Sequence, residues 1–295
     1  MQYSISDLEK LSGISAHSIR IWERRYQALT PARTEGNTRY YDDGQLRRLL
    51  SLSGLCYAGH KISKVCALNE VEIKALLQQQ IDHSCAPESR YEYFISQIIS
   101  GGLAFREDTV KALIDNCIAQ NGMLNTYKYV VYPLLSRLGL MWLNESICPS
   151  HEHFLSAIIR QKLFTAIDSC TLSGSPGAGW LLFLPEDEEH DIGLLLASYL
   201  LRAAGRQVTY LGPKVPISAV TTAAQATNPQ HILFFITRVR PINDAQAYVN
   251  QLSARFPSAG LYVSGNRKTL SGIIYPQQFS WLESLADFEK TITQS

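Results

Sequence analysis

The chain is poor in the features that mark several large functional classes. Its six cysteines (Cys56, Cys66, Cys85, Cys117, Cys148 and Cys170) are scattered, with no paired spacing of the zinc or redox-active kind, so they are expected to be reduced and a thiolate metal centre is not indicated. Long apolar runs are absent: the stretch around Ile192–Leu201 is too short to span a bilayer, and Met1-Gln-Tyr-Ser lacks the basic and apolar regions of a signal peptide. A cytoplasmic chain with no membrane partner is expected. Neither sign of charge dominates, the formal net charge being +1. No G-x-G-x-x-G loop, Ser-His-Asp set or carboxylate pair of arguable geometry emerges, so no catalytic residue is assigned and an enzyme is not expected.

What the chain does contain is unevenly distributed. Its 295 residues allow two or three domains. Basic residues gather at the N-terminus, and Glu186-Asp-Glu-Glu189 is an acidic run. A short helix (Ser6–Leu11), a turn at Gly13 and an Arg-rich second helix are followed by the wing-like stretch Arg33-Thr-Glu-Gly-Asn-Thr-Arg39-Tyr-Tyr41. That is the order of parts a winged helix-turn-helix needs to enter a DNA groove. Ser15 or Ser18 can cap the second helix. Ile19 and Trp22 are placed to pack inward, whereas Arg20 and Arg24, four apart, share an outward face. Gly36-Asn37 is expected to supply a φ > 0 turn between strands carrying Arg33 and Arg39. The blander reading is a surface helix pair with solvated arginines, but the order of helix, wing and basic residues favours DNA.

Further along, helices are expected at Asp43–Tyr57 and Ile62–Leu68. Apolar residues then recur three and four apart in Tyr91–Ile99, Val110–Ile118, Tyr127–Leu140 and Phe154–Ile167, with breaks at Gly101-Gly102, Gly122 and Pro149. They predict an antiparallel four-helix bundle. Ser173–Gly179 reads as a joint. Beyond it, strands (Trp180–Leu184, Gln207–Leu211, His231–Ile236, Leu261–Ser264) alternate with helices (His190–Ala204, Ile217–Ala226, Asn243–Arg255, Trp281–Thr291). That pattern predicts an α/β domain with a parallel sheet covered on both faces, in flavodoxin-like order. The expected domains are 1–75, 76–172 and 178–295.

In such a sheet a ligand sits beyond the carboxyl ends of the first and third strands, here Pro185–Gly193 and Thr237–Pro241. Thr237-Arg238 offers no phosphorylatable Asp. The first loop offers His190 with Glu188 two residues before it. Neutral imidazole ligates transition metals, and a carboxylate accepting its second N–H fixes the tautomer. Gly193 would let a ligand's tail approach the backbone. The alternative is a solvated polar residue opening a helix, and the loop alone leaves both open. His151-Glu152-His153 is not a metal cluster, because neighbours on a helix splay about its axis. Trp142 and the tyrosines Tyr127, Tyr129 and Tyr132 are most simply core or interface aromatics.

Two resemblances add to this reading. The runs Ile5–Ile14, Ser18-Ile-Arg20-Ile-Trp-Glu-Arg24-Arg25-Tyr26, Pro31 and Thr38-Arg39-Tyr40-Tyr41 resemble the DNA-binding domain of MerR-family transcriptional regulators. The resemblance implies Ser15, His17, Arg20, Arg24, Arg25 and Tyr26 as contacts from the recognition helix region, and Arg33, Arg39 and Tyr40 as wing contacts. Glu188-x-His190-x-x-Gly193 is similar to the D-x-H-x-x-G signature of cobalamin-binding domains, and Trp142, nine residues, then Glu152-His153 to the W-x9-E-H signature of CarH-type light-responsive regulators. This implies His190 as the metal ligand to cobalt from below, oriented by Glu188, with Trp142, Glu152 and His153 above the ring. Thr237, Val239, Ser264 and Gly265 stand where that family lines its nucleotide-tail pocket. Arg238 adds bulk there, and Ser264 replaces a glycine.

The resemblance therefore implies a repressor of double-stranded operator DNA, forming a homo-oligomer (dimer or tetramer) and sensing light or ligand through cobalamin, in the adenosyl form. Two alternatives stand beside it: a regulator whose cobalamin-like domain has lost the vitamin and serves oligomerisation or a protein partner, and a corrinoid carrier for methyl transfer.

Overall fold

A computed structural model describes residues 2–34, 36–57, 59–69, 71–73, 75–76, 87–143, 148–170 and 179–294. The chain divides into two compact units, 1–159 and 160–295.

The first unit opens with a helix-turn-helix. Helix α1 (Ile5–Ser12) begins at a capping box in which Ser4 and Asp7 satisfy each other's backbone N–H, and ends on Gly13 at φ 71°. Helix α2 (Ala16–Tyr26) is capped by Ser15, whose side chain accepts from the Ser18 amide. Strands β1 (Ala32–Arg33) and β2 (Arg39–Tyr40) pair antiparallel, Arg33 opposite Arg39. Of the expected Gly36-Asn37 pair only Asn37 takes a positive φ, 60°. Helix α3 (Asp43–Tyr57) has the expected bounds, while α4 is shorter, Ile62–Val65. Leu8, Leu11, Ile19, Leu46, Leu49, Leu50, Tyr3 and Tyr41 are all buried, a small apolar core that fixes α2 and the wing. Trp22 is only half-buried and the inward partner of Ile19 is instead Glu23, one full turn on.

The helical region comprises α5 (Pro87–Leu103), α6 (Glu107–Thr126), a π-helical turn (Tyr127–Val131), α7 (Tyr132–Leu143) and α8 (Pro149–Asp168). Two expected breaks behave differently. Gly101 and Gly102 lie inside α5, where a Cβ at 101 would sit 2.9 Å from a Val110 methyl and one at 102 would sit 2.7 Å from a Leu155 methyl. They are close-approach points between helices. Gly122 does interrupt α6, at φ 77°.

In the second unit five parallel strands, β3 (Gly179–Pro185), β4 (Gln207–Val215), β5 (His231–Ile236), β6 (Gly260–Gly265) and β7 (Phe279–Trp281), form one sheet in the spatial order β4-β3-β5-β6-β7. Counted within the unit this is 2-1-3-4-5, the flavodoxin-like order. Helices α9 (Ile192–Ala203) and α13 (Leu285–Gln294) bury Leu194, Ala197, Leu201, Phe288 and Ile292 against Trp180, Leu182 and Leu184. On the other face α10 (Ile217–Thr227) and α11 (Ile242–Arg255) bury Val220, Val249 and Leu252 against Leu181 and Phe183. The period-2 alternation along β3 thus feeds two cores. A short helix α12 (Arg267–Leu270) follows β6.

Two expectations are corrected here. His190 precedes α9 and lies in the loop, because the helix starts only at Ile192 after Asp191. The stretch expected as one closing helix from Trp281 is split into the edge strand β7 and α13.

Candidate functional site

Helix α2 presents Arg20, Arg24 and Arg25 as exposed cations, with His17 also exposed. Ser15 is engaged in capping, its hydroxyl donating to the Ser18 hydroxyl at 2.9 Å. Arg25 lies over the Tyr26 ring, 5.7 Å from its centroid. On the wing, Arg33 Nη1 donates to Asn37 Oδ1 at 2.5 Å, bracing the turn, and Tyr40 is half-buried. Arg39 is turned back: its Nε lies 3.2 Å from Glu23 Oε2. A cleft of about 400 Å³, lined by Glu23, Arg24, Gln27, Leu29, Thr30, Pro31, Arg33 and Arg39, separates the end of α2 from the wing. The head thus offers an arginine-lined concave surface suited to phosphate.

The second site lies at the carboxyl ends of β3 and β5. Glu188 is completely buried. Its Oε1 accepts from His190 Nδ1 at 2.7 Å and from the Glu189 and His190 amides at 3.1 and 3.3 Å. Its Oε2 accepts from the Thr237 and Arg238 amides at 2.8 and 3.0 Å. Burial by itself would raise the carboxyl pKa, but the bonds from His190, Thr237 and Arg238 outweigh it and hold Glu188 well below the usual carboxylate range. The same bond, donated by His190 to Glu188, raises the imidazole pKa against the opposing effect of burial. Thr237 Oγ1 is 3.2 Å from the same Nδ1. Nδ1 is therefore occupied, the His190 side chain is 58% exposed, and among the described residues Nε2 has no hydrogen-bond partner. A tautomer with the proton on Nδ1 leaves Nε2 a free lone pair, the state a metal ligand requires.

Around this pair the charges are matched. Glu189 bridges Lys214 Nζ at 2.6 Å and the Arg238 guanidinium at 3.0 Å, and Arg240 reaches Asp187 at 2.7 Å. Lys214 adopts φ 57°, and its amide donates to the Glu188 carbonyl at 3.1 Å.

Residues 3–68 match the family model described as "MerR HTH family regulatory protein". The amino-terminal module is a MerR-type helix-turn-helix domain. Likeness extends beyond this MerR domain. The chain is 29% identical over 257 residues to the HTH-type transcriptional repressor CarH of Myxococcus xanthus, covering 86% of this chain and 85% of that one. It is 28% identical over 243 residues to the HTH-type transcriptional repressor CarA of the same organism, covering 81% and 78%. Among solved structures, a Methanosarcina barkeri monomethylamine corrinoid protein aligns with 69% of this chain and 95% of its own at 16% identity and a TM-score of 0.49.

The structure brings Glu188, His190 and Thr237 together, and in the MerR domain it brings Arg24, Arg33 and Arg39 to one cleft, which Arg20 and Arg25 do not line. Other expected positions have different surroundings. Gly193 faces the ring of Phe235, whose Cε1 would lie 3.0 Å from an added Cβ. Gly265, at φ 131°, is required by the backbone: a Cβ there would lie 2.1 Å from the Ile236 carbonyl oxygen. Ser264 Oγ donates to the Leu282 carbonyl at 2.8 Å, and Val239 is exposed. In α8, Glu152 Oε1 accepts from Ser156 Oγ at 2.5 Å, while His153 is 78% exposed with Nδ1 3.5 Å from Glu152. His151 stacks on Phe105, ring centroids 4.7 Å apart, so the two histidines part around the helix as their spacing dictates. Trp142 belongs to α7, but its side chain, like Cys85 and the joint from Ser173 to Ala178, lies outside the described residues. Among the described residues no helix is long and apolar enough to cross a membrane, and no group of three or more His, Cys, Asp or Glu is placed to hold a metal ion. Sequence reading missed Glu23 and the backbone role of Arg238. Glu23 carried one usable signal, its position four residues after Ile19.

Proposed function

We propose that this chain is a DNA-binding transcriptional regulator whose C-terminal domain holds a cobalamin. The observation that carries the cofactor half is the Glu188–His190 pair. A buried carboxylate, itself saturated by backbone amides, fixes one imidazole nitrogen and leaves the other free at the mouth of a parallel sheet. These residues fit a corrinoid: His190 would hold its cobalt through Nε2, with Glu188 orienting the ring and Thr237 steadying Nδ1. Bound cobalamin would supply a cobalt centre with an exchangeable upper ligand. The contribution of the chain is to fix the Nδ1 proton on Glu188 and to aim the other ring nitrogen outward. Arg238, whose bulk threatened the tail site, is drawn onto Glu189 and serves the pair through its amide.

The MerR domain carries the other half. Arg20, Arg24 and Arg25 are the groove and phosphate candidates on α2, with His17, Tyr26, Arg33 and Tyr40 around them. Likeness to repressors supports repression as the outcome. A homo-oligomer, dimer or tetramer, follows from the short reach of one recognition helix. The resemblance of Trp142 and Glu152-His153 to the signature of CarH-type regulators adds an adenosyl upper ligand and light sensing to the reading. The test is reconstitution with adenosylcobalamin in the dark, followed by absorption spectroscopy, sizing and DNA binding before and after green light. A coloured complex with unchanged size and DNA affinity in both states would remove light sensing and leave corrinoid binding intact. A colourless protein would remove the cofactor.

One observation favours a second reading. The Phe235 ring fills the space in front of Gly193, where a ligand's tail would approach. On this reading the domain keeps the fold without the vitamin and serves oligomerisation or a protein partner. It predicts that cobalamin leaves the absorption spectrum of His190→Ala and the parent alike.

A further inference from the structure

The recognition helix of the MerR domain turns an acid inward. Glu23 follows Ile19 by one helical turn, and both are buried. Its side chain is 6% exposed, and its two oxygens reach two alternate residues of the wing region: Oε1 accepts from the Tyr41 hydroxyl, and Oε2 pairs with Arg39 Nε at 3.2 Å. Tyr41 is itself immobilised. It is fully buried, and its amide and carbonyl pair with Tyr3 at 2.9 and 2.8 Å. Arg39 lies opposite Arg33 in the two-residue wing ladder. So short a ladder cannot hold the wing at a fixed angle to α2. Arg39 gives only Nε to Glu23. Among the described residues its terminal nitrogens have no partner, and it lines the cleft shared with Arg24 and Arg33.

We infer that Glu23 is a positioning residue for DNA binding: by gripping Arg39 and Tyr41 it locks the wing to the recognition helix and aims the Arg39 guanidinium edge at backbone phosphate. This rests on the DNA-binding reading above. The sign of its effect separates it from simple electrostatics. A carboxylate close to a phosphate backbone repels it, so neutralising Glu23 should strengthen binding if charge alone mattered. If Glu23 positions Arg39, neutralising it weakens binding.

The experiment uses the full chain and a duplex selected by that chain from a randomised DNA library, with affinity measured over a series of salt concentrations. Glu23→Gln is expected to bind about tenfold more weakly and to lower the salt slope by about one, the signature of one lost phosphate contact. In an Arg39→Ala background, Glu23→Gln should have no further effect on affinity or slope. Binding by Glu23→Gln that equals or exceeds the parent, or an unreduced salt slope, overturns the inference. Should Glu23→Gln fail to give the parent's circular dichroism, Tyr41→Phe, which removes only the hydroxyl clamp, decides the matter on the same two readouts. If the parent itself enriches no duplex and shows no salt-dependent binding, the DNA reading fails, an outcome distinct from failure of the lock.

Discussion

Glu188 is an ionised carboxylate with no exposed surface, and it is tolerable only because five donors within its hydrogen-bond range replace water. Glu188→Gln keeps the shape but can no longer accept at both ends, so the imidazole loses its anchor. Corrinoid affinity should fall about 10- to 100-fold, read by spectral titration; an unaltered titration would detach the acid from the cofactor. A different histidine reports on stability. His231 stacks on Trp180 with ring centroids 4.5 Å apart, its buried Nδ1 has no hydrogen-bond partner among the described residues, and burial lowers its pKa. The unfolded chain then binds a proton that the folded chain resists. Stability is fully present above the unfolded value of about 6.5 and declines as the pH falls through the lower folded value. Thermal midpoints measured across that range should drop toward acid, and His231→Phe should flatten part of the drop.

Among the elements, β6 ends on a glycine that no side chain can replace. With φ at 131° and the Ile236 carbonyl 2.1 Å from any Cβ, Gly265→Ala must pull β6 away from β5. A loss of at least about 2 kcal/mol in urea unfolding is expected, with or without cobalamin. Gly102→Val tests the helical region in the same way. The extra carbons meet Leu155, a flexible side chain, so a cost of about 1–3 kcal/mol is expected from overpacking. These glycines also show what could be read in advance. Gly101-Gly102 looked like a helix end because glycine is a poor helix former, and close packing between α5 and its neighbours overrode that preference. The edge strand β7 was hidden because Trp281, Leu285, Phe288 and Ile292 fall three or four apart, a helical spacing that three strand residues cannot outweigh. Strands β3, β5 and β6 were legible, being apolar runs bounded by turns. Glu188 and His190 were legible as a spaced pair. The amides of Thr237 and Arg238 were not, since backbone donors leave no mark on residue type.

For the molecule as a whole, a net charge of +1 means that attraction to nucleic acid has to come from the local field of the MerR domain. The logarithm of DNA affinity should fall linearly with that of salt concentration, by about 0.9 per phosphate neutralised. Arg24→Ala should cost about 1–3 kcal/mol and relax sequence preference if it reads a base, or lower the slope by about one if it holds a phosphate. Competition binding against scrambled duplexes distinguishes the two, and a variant indistinguishable from the parent removes Arg24 from the interface.

The five bonds to Glu188 have a mechanical corollary. They stitch the turn after β3 to the turn that leads into α11, so neither can drift without dragging the other. A push or pull on the His190 ring would be delivered, through one rigid carboxylate, to the amides of Thr237 and Arg238. Those two amides should be among the slowest in the second unit to exchange with deuterium, and should quicken together when the knot is cut.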